Sequence, residues 1–171
     1  KGLTYFKNNF FEEAKDLFNR ALKINDQYID SYNNLGTCLL ELEKLDEAKR
    51  VINSAYNIDK KNVSTLINLA NVLSLQDNTV QAVKYYNEAL SLDPSNQEII
   101  SNLAICYCRD GKEEEAKTFY DKAIKINPYD YKLMYAYCTL QLKLNKFDTS
   151  WELFDSRLLI EKNKDKLNNF D

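Results

Sequence analysis

The strongest constraint on this chain is a repeat of 34 residues. Ala14, Ala48, Ala82 and Ala116 recur at that spacing, and Ala21, Ala55, Ala89 and Ala123 each follow seven residues later. Between the two alanines stands a bulky side chain: Phe18, Ile52, Tyr86 or Tyr120. Upstream, Gly2, Gly36, Ala70, Ala104 and Cys138 keep the period, with Leu35, Leu69, Leu103 and Tyr137 preceding the last four. A fixed period of this length marks an array of like units, each too small to bury its own apolar face.

Each period holds two segments with apolar residues at i, i+3, i+4 and i+7, the pattern of an amphipathic helix. The small residue of the first segment and the first alanine of the second let two helix backbones approach closely. The second alanine admits the next hairpin. Three glycines and two prolines among 171 residues leave too little turn chemistry for an all-β fold. The pattern predicts helix pairs at 2–8 and 11–24, 29–42 and 45–58, 63–76 and 79–92, 97–110 and 113–126, and 131–144 and 147–160. Pro94 and Pro128 are expected to close second helices.

These residues resemble the tetratricopeptide repeat (TPR) family. The clearest unit runs through Asn68-Leu69-Ala70, Leu73, Ala82, Tyr86, Ala89 and Pro94; the next has Leu103-Ala104, Tyr107, Ala116, Tyr120, Ala123 and Pro128. The resemblance implies an all-α TPR solenoid, a right-handed superhelix of stacked antiparallel helix pairs. One array is expected over 1–160: a partial first repeat at 1–28, repeats at 29–62, 63–96 and 97–130, and a degenerate one at 131–160. Ser150 and Arg157 replace the two alanines in that last unit, and 161–171 reads as a polar tail or the start of a capping helix.

In this family the first helix of each pair lines the concave face. The positions left over from the core therefore form the candidate groove. Asn34, Asn68 and Asn102 stand two residues before the small residue of three units, an asparagine ladder with the 34-residue period. Asn33, Thr37, Asn71, Ser101, Ile105, Tyr135 and Thr139 share that face, and Arg109 lies further along it. A primary amide offers both donors and an acceptor, matching the N–H and C=O of an extended peptide unit. The ladder is expected to hold a peptide segment of another protein by its backbone. Abundant asparagine, with 20 in the chain, or amide bonding between neighbouring helices would produce the same pattern.

The ladder is similar to that of the TPR region of protein O-GlcNAc transferases, whose groove asparagines hold the acceptor polypeptide. Asn34-Leu35-Gly36 and Asn68-Leu69-Ala70-Asn71-Val72 carry the likeness. Phe147-Asp148, Trp151-Glu152, Phe154 and Arg157 resemble the final repeat of bacterial proteins in which TPRs precede a glycosyltransferase-like domain. The alternatives to a peptide-binding scaffold are thus the substrate-recognition part of a larger glycosyltransferase and a structural or self-associating scaffold. The groove face offers Ser64 and Glu98 where a carboxylate clamp of a chaperone adaptor needs cations, so that use is not expected.

Composition narrows the chemistry. The chain has no histidine, which removes histidine-based triads, metal sites and proton shuttles. No phosphate-binding glycine loop or other catalytic motif is present, so no enzyme activity and no cofactor are expected. Acid runs such as Glu113-Glu114-Glu115 fall where second helices begin and complement the helix dipole. A net charge of −3, with 19 Lys, four Arg and no basic run, argues against nucleic acid. No stretch approaches the roughly 18 apolar residues of a membrane span. Lys1-Gly2-Leu3-Thr4-Tyr5 does not read as a signal peptide, and a cytoplasmic location is expected. Cys38, Cys106, Cys108 and Cys138 sit within apolar helical patterns and are expected to be buried, reduced thiols, with no metal.

Overall fold

The computed structural model describes residues 1–128 and 130–144. Two compact units divide the chain, Lys1–Pro94 and Ser95–Asp171. The first contains α1 (Gly2–Lys7), α2 (Phe11–Ile24), α3 (Ile29–Glu41), α4 (Leu45–Ile58), α5 (Val63–Leu75) and α6 (Thr79–Leu92). The described part of the second contains α7 (Gln97–Arg109), α8 (Glu113–Ile126) and α9 (Tyr131–Lys143). Among the described residues all regular structure is helical, and second helices begin and end where the periodicity puts them. First helices stop one residue sooner. The partner expected for α9 at 147–160, with Trp151 and Phe154, lies outside the described residues.

The one-residue difference has a local cause. The first helices of four pairs end in a left-handed residue one step beyond the cap: Asn9 (φ 62), Glu43 (φ 58), Asp77 (φ 57) and Gly111 (φ 72). Two backbone bonds fix each turn. At Glu43 the N–H donates to Leu40 O at 2.9 Å, and the next N–H, of Lys44, donates to Leu39 O at 2.8 Å. That pairing satisfies the last carbonyls of the helix and aims the chain back for the second helix. At the opposite ends, Asn62, Asn96 and Asp130 cap α5, α7 and α9 by accepting from the N–H three residues on.

Second helices end alike with and without proline. Asp93 and Asn127 precede Pro94 and Pro128, yet Asn25 and Asp59, which lack a following proline, have similarly extended backbone. Proline is therefore compatible with this turn but does not create it.

The alanine–bulky–alanine pattern becomes the packing. Ala48, Ala82 and Ala116 are wholly buried, as are Ala55, Ala89 and Ala123. Ile52, Tyr86 and Tyr120 fill the space between helices of a pair, at most 2% exposed. Gly36 is required by this arrangement: a Cβ there would stand 2.3 Å from Ile52 Cγ1. In the second unit Tyr120 stacks on Tyr137 at 5.1 Å, and Tyr137 donates to Asp121 Oδ1 at 2.8 Å.

All four cysteines are thiols outside any disulfide. Cys38, Cys106 and Cys138 are buried, and burial pushes the Cys38 thiol up to about 11. Cys108 differs from expectation in being only half-buried, because it sits two residues beyond Cys106 and so off the core face. No helix among the described residues is long and apolar enough to cross a membrane.

Candidate functional site

The candidate groove residues divide into two groups by what their side chains touch. In the first unit most of them bond to neighbouring helices. Asn33 is 6% exposed; its Oδ1 accepts from Thr65 Oγ1 at 3.0 Å, and its Nδ2 donates to Asn62 Oδ1 at 3.4 Å. Asn62 Oδ1 also accepts from Thr65 N at 3.0 Å, so one amide caps α5 and ties it to α3. Asn68 Nδ2 reaches back across the same joint to Asn33 O at 3.4 Å. Thr37 Oγ1 donates to that carbonyl as well, at 3.0 Å. Asn71 Oδ1 accepts from the Tyr86 hydroxyl of the second helix in its own hairpin. Asn34 is half-buried on α3.

The second unit is different. Ser101, Asn102 and Ile105 of α7 come together around an open pocket of about 390 Å³. Ile105 and Leu133 give it an apolar lining, Gln97 and Glu98 stand at the α7 end, and Asp130 and Lys132 face them from the start of α9. Asp130 holds this edge in place. Its Oδ1 accepts from Leu133 N at 3.0 Å to cap α9, and its Oδ2 accepts from Gln97 Nε2 at 3.2 Å. Ser101 Oγ is shielded from solvent and has no hydrogen-bond partner. Arg109, Tyr135 and Thr139 are exposed on α7 and α9, with Thr139 Oγ1 donating to Tyr135 O at 2.9 Å.

A comparison of positions 68 residues apart explains the pocket. Ser101 and Leu133 in the second unit correspond to Asn33 and Thr65 in the first, and Ala136 corresponds to Asn68. The long amides that bridge α3 to α5 are replaced by a hydroxyl too short to cross and by a methyl group. Gln97, Asp130, Lys132 and Leu133 were not on the candidate face. The period of the caps, Asn62, Asn96 and Asp130, is the signal that places Asp130 beside the preceding first helix.

Stacked hairpins with this repeat, small residues at each crossing and left-handed turns between the helices define a tetratricopeptide repeat fold. Three sequence profiles described as tetratricopeptide repeat match the chain, at residues 1–28, 17–50 and 73–128. The chain belongs to the tetratricopeptide repeat family, whose members act as protein–protein interaction scaffolds. Among solved structures it is similar to MamA, with a TM-score of 0.81 at 18% identity over 96% of each chain. It is also similar to PilF of Pseudomonas aeruginosa, with a TM-score of 0.83 at 21% identity over 92% of this chain and 72% of that one. YrrB, described as a TPR protein with an unusual peptide-binding site, aligns with a TM-score of 0.72 at 19% identity over 94% and 83%. No protein of curated function gives a significant sequence match.

Proposed function

We propose that this chain is a non-catalytic scaffold that binds an extended peptide segment of a partner protein on the faces of its first helices. The observation that carries this reading is the α7–α9 pocket, where Ser101, Asn102 and Ile105 meet around an apolar lining. Such a place suits one anchoring side chain, while polar groups at the rim fix the backbone of the segment. The peptide-binding site named for YrrB, a structural neighbour, supports the same use of the fold.

A random-peptide display selection tests it. Wild-type protein is expected to enrich a family of peptides, and Ile105→Arg, checked for helicity by circular dichroism, is expected to lose them. A selection that enriches nothing, or peptides that bind Ile105→Arg with unchanged affinity, would overturn the reading.

A further inference from the structure

The groups around the pocket favour one kind of side chain. Gln97 must present its Nε2 to Asp130, since a carboxylate only accepts, and this turns the acceptor Oε1 the other way. Glu98 adds an exposed carboxylate, and Asp130 keeps further lone pairs beyond the two bonds it makes. Ile105 and Leu133 offer the surface along which an aliphatic stem packs. Among the described lining residues Lys132 is the single opposing charge, and it is exposed.

We propose that this pocket receives a basic side chain of the bound segment, arginine in preference to lysine. The inference rests on the peptide-binding reading and specifies the residue that anchors it. The guanidinium brings five N–H donors in a planar fork, which suits a lining dominated by acceptors. Its three-carbon stem lies over Ile105 and Leu133, and its head reaches Glu98 and Asp130. An acidic partner side chain would meet two carboxylates and one lysine. An apolar one would bring no donor to Glu98 and Asp130.

The probes are acetylated, amidated hexapeptides of alanine and serine whose central residue is arginine, citrulline, norleucine or glutamate. Binding is read from amide chemical shifts at Ser101, Asn102 and Ile105. The arginine peptide is expected to bind about tenfold tighter than the uncharged citrulline peptide, the difference of one charge-assisted hydrogen bond. Glu98→Gln should bring that ratio close to one while leaving the citrulline peptide unaffected, and Lys132→Gln should raise it. Tighter binding of the norleucine or glutamate peptide, or a ratio unchanged in Glu98→Gln, would overturn the inference. Failure here while display still enriches peptides sensitive to Ile105→Arg would leave the peptide-binding reading standing with a different anchor.

Discussion

The joint between α3 and α5 and the joint between α7 and α9 are built on equivalent positions and end in opposite states. The first is closed by amides: Asn33, Asn62 and Thr65 form a buried polar cluster, and Asn68 adds a bond to the Asn33 carbonyl. The second keeps the capping residue, Asp130, but has Ser101, Leu133 and Ala136 in place of the bridging groups, and a pocket opens. Side-chain length at three positions decides whether a repeat joint becomes structure or a place for a ligand. A buried polar cluster is also sensitive to single losses, because removing one member strands the others.

The largest effect is expected at the helix crossings, where the repeats differ. The α3–α4 pair sets Gly36 against Ile52, while the equivalent positions hold Ala70 and Tyr86 in α5–α6 and Ala104 and Tyr120 in α7–α8. Gly36→Ala puts a methyl carbon 2.3 Å from a β-branched neighbour that has little rotamer freedom in a helix. Denaturant unfolding should show a loss of about 2–3 kcal/mol. In an Ile52→Ala background the same change should cost little, since its clash partner is gone. Equal cost in both backgrounds would mean that the crossing is not limited by this contact.

Next come the joints themselves. Asn33→Ala removes one of the two acceptors within reach of Thr65 Oγ1 and the donor to Asn62, and should cost about 1 kcal/mol. Ser101→Ala, at the equivalent place two repeats on, deletes a hydroxyl that has no partner. Stability should stay level or rise by about 0.5 kcal/mol, because alanine is also the better helix former. Similar losses for the two substitutions would erase the distinction between a closed and an open joint. Building the closed joint into the second unit is the converse experiment. Ser101→Asn combined with Ala136→Asn should fill the pocket and weaken display-selected peptides about tenfold, with helicity retained.

The helical frame was legible in the sequence because it depends on periodic residue size. Alanines, bulky residues and turns at one spacing placed second helices at their observed limits and first helices one residue long. That residue was missed because the left-handed position does not demand glycine: Glu43 occupies it, and only Gly111 advertises it. The joints were less legible. Helical periodicity assigns Asn33, Asn68 and Ser101 to a face, but it does not say whether an amide on that face reaches the adjacent helix. The answer depends on partners about 30 residues away, such as Asn62 and Thr65 for Asn33. Gln97 and Asp130 escaped for the same reason, since their bond joins the starts of two helices in different repeats.

The smallest expected effect separates the turns of the two units. Glu43 and Gly111 hold the same left-handed place, at φ 58 and φ 72. An L-residue there crowds its Cβ against the following carbonyl, a cost of about 1–2 kcal/mol that glycine avoids. Asn9 and Asp77 have the short polar side chains that tolerate this region, and Glu43 does not. Glycine gives back part of the gain through the greater freedom of the unfolded chain. Glu43→Gly should therefore stabilise the protein by about 0.5 kcal/mol net, and Gly111→Glu should destabilise it by a similar amount. Beyond Gly111 and its two chain neighbours no atom lies within 4 Å of a Cβ built there, so local backbone strain sets that value. Thermal unfolding of both variants and of the double exchange measures the pair. Opposite shifts that cancel in the exchange would show that the two turns are interchangeable. A destabilised Glu43→Gly would show instead that the Glu43 side chain makes a compensating contact at its own turn.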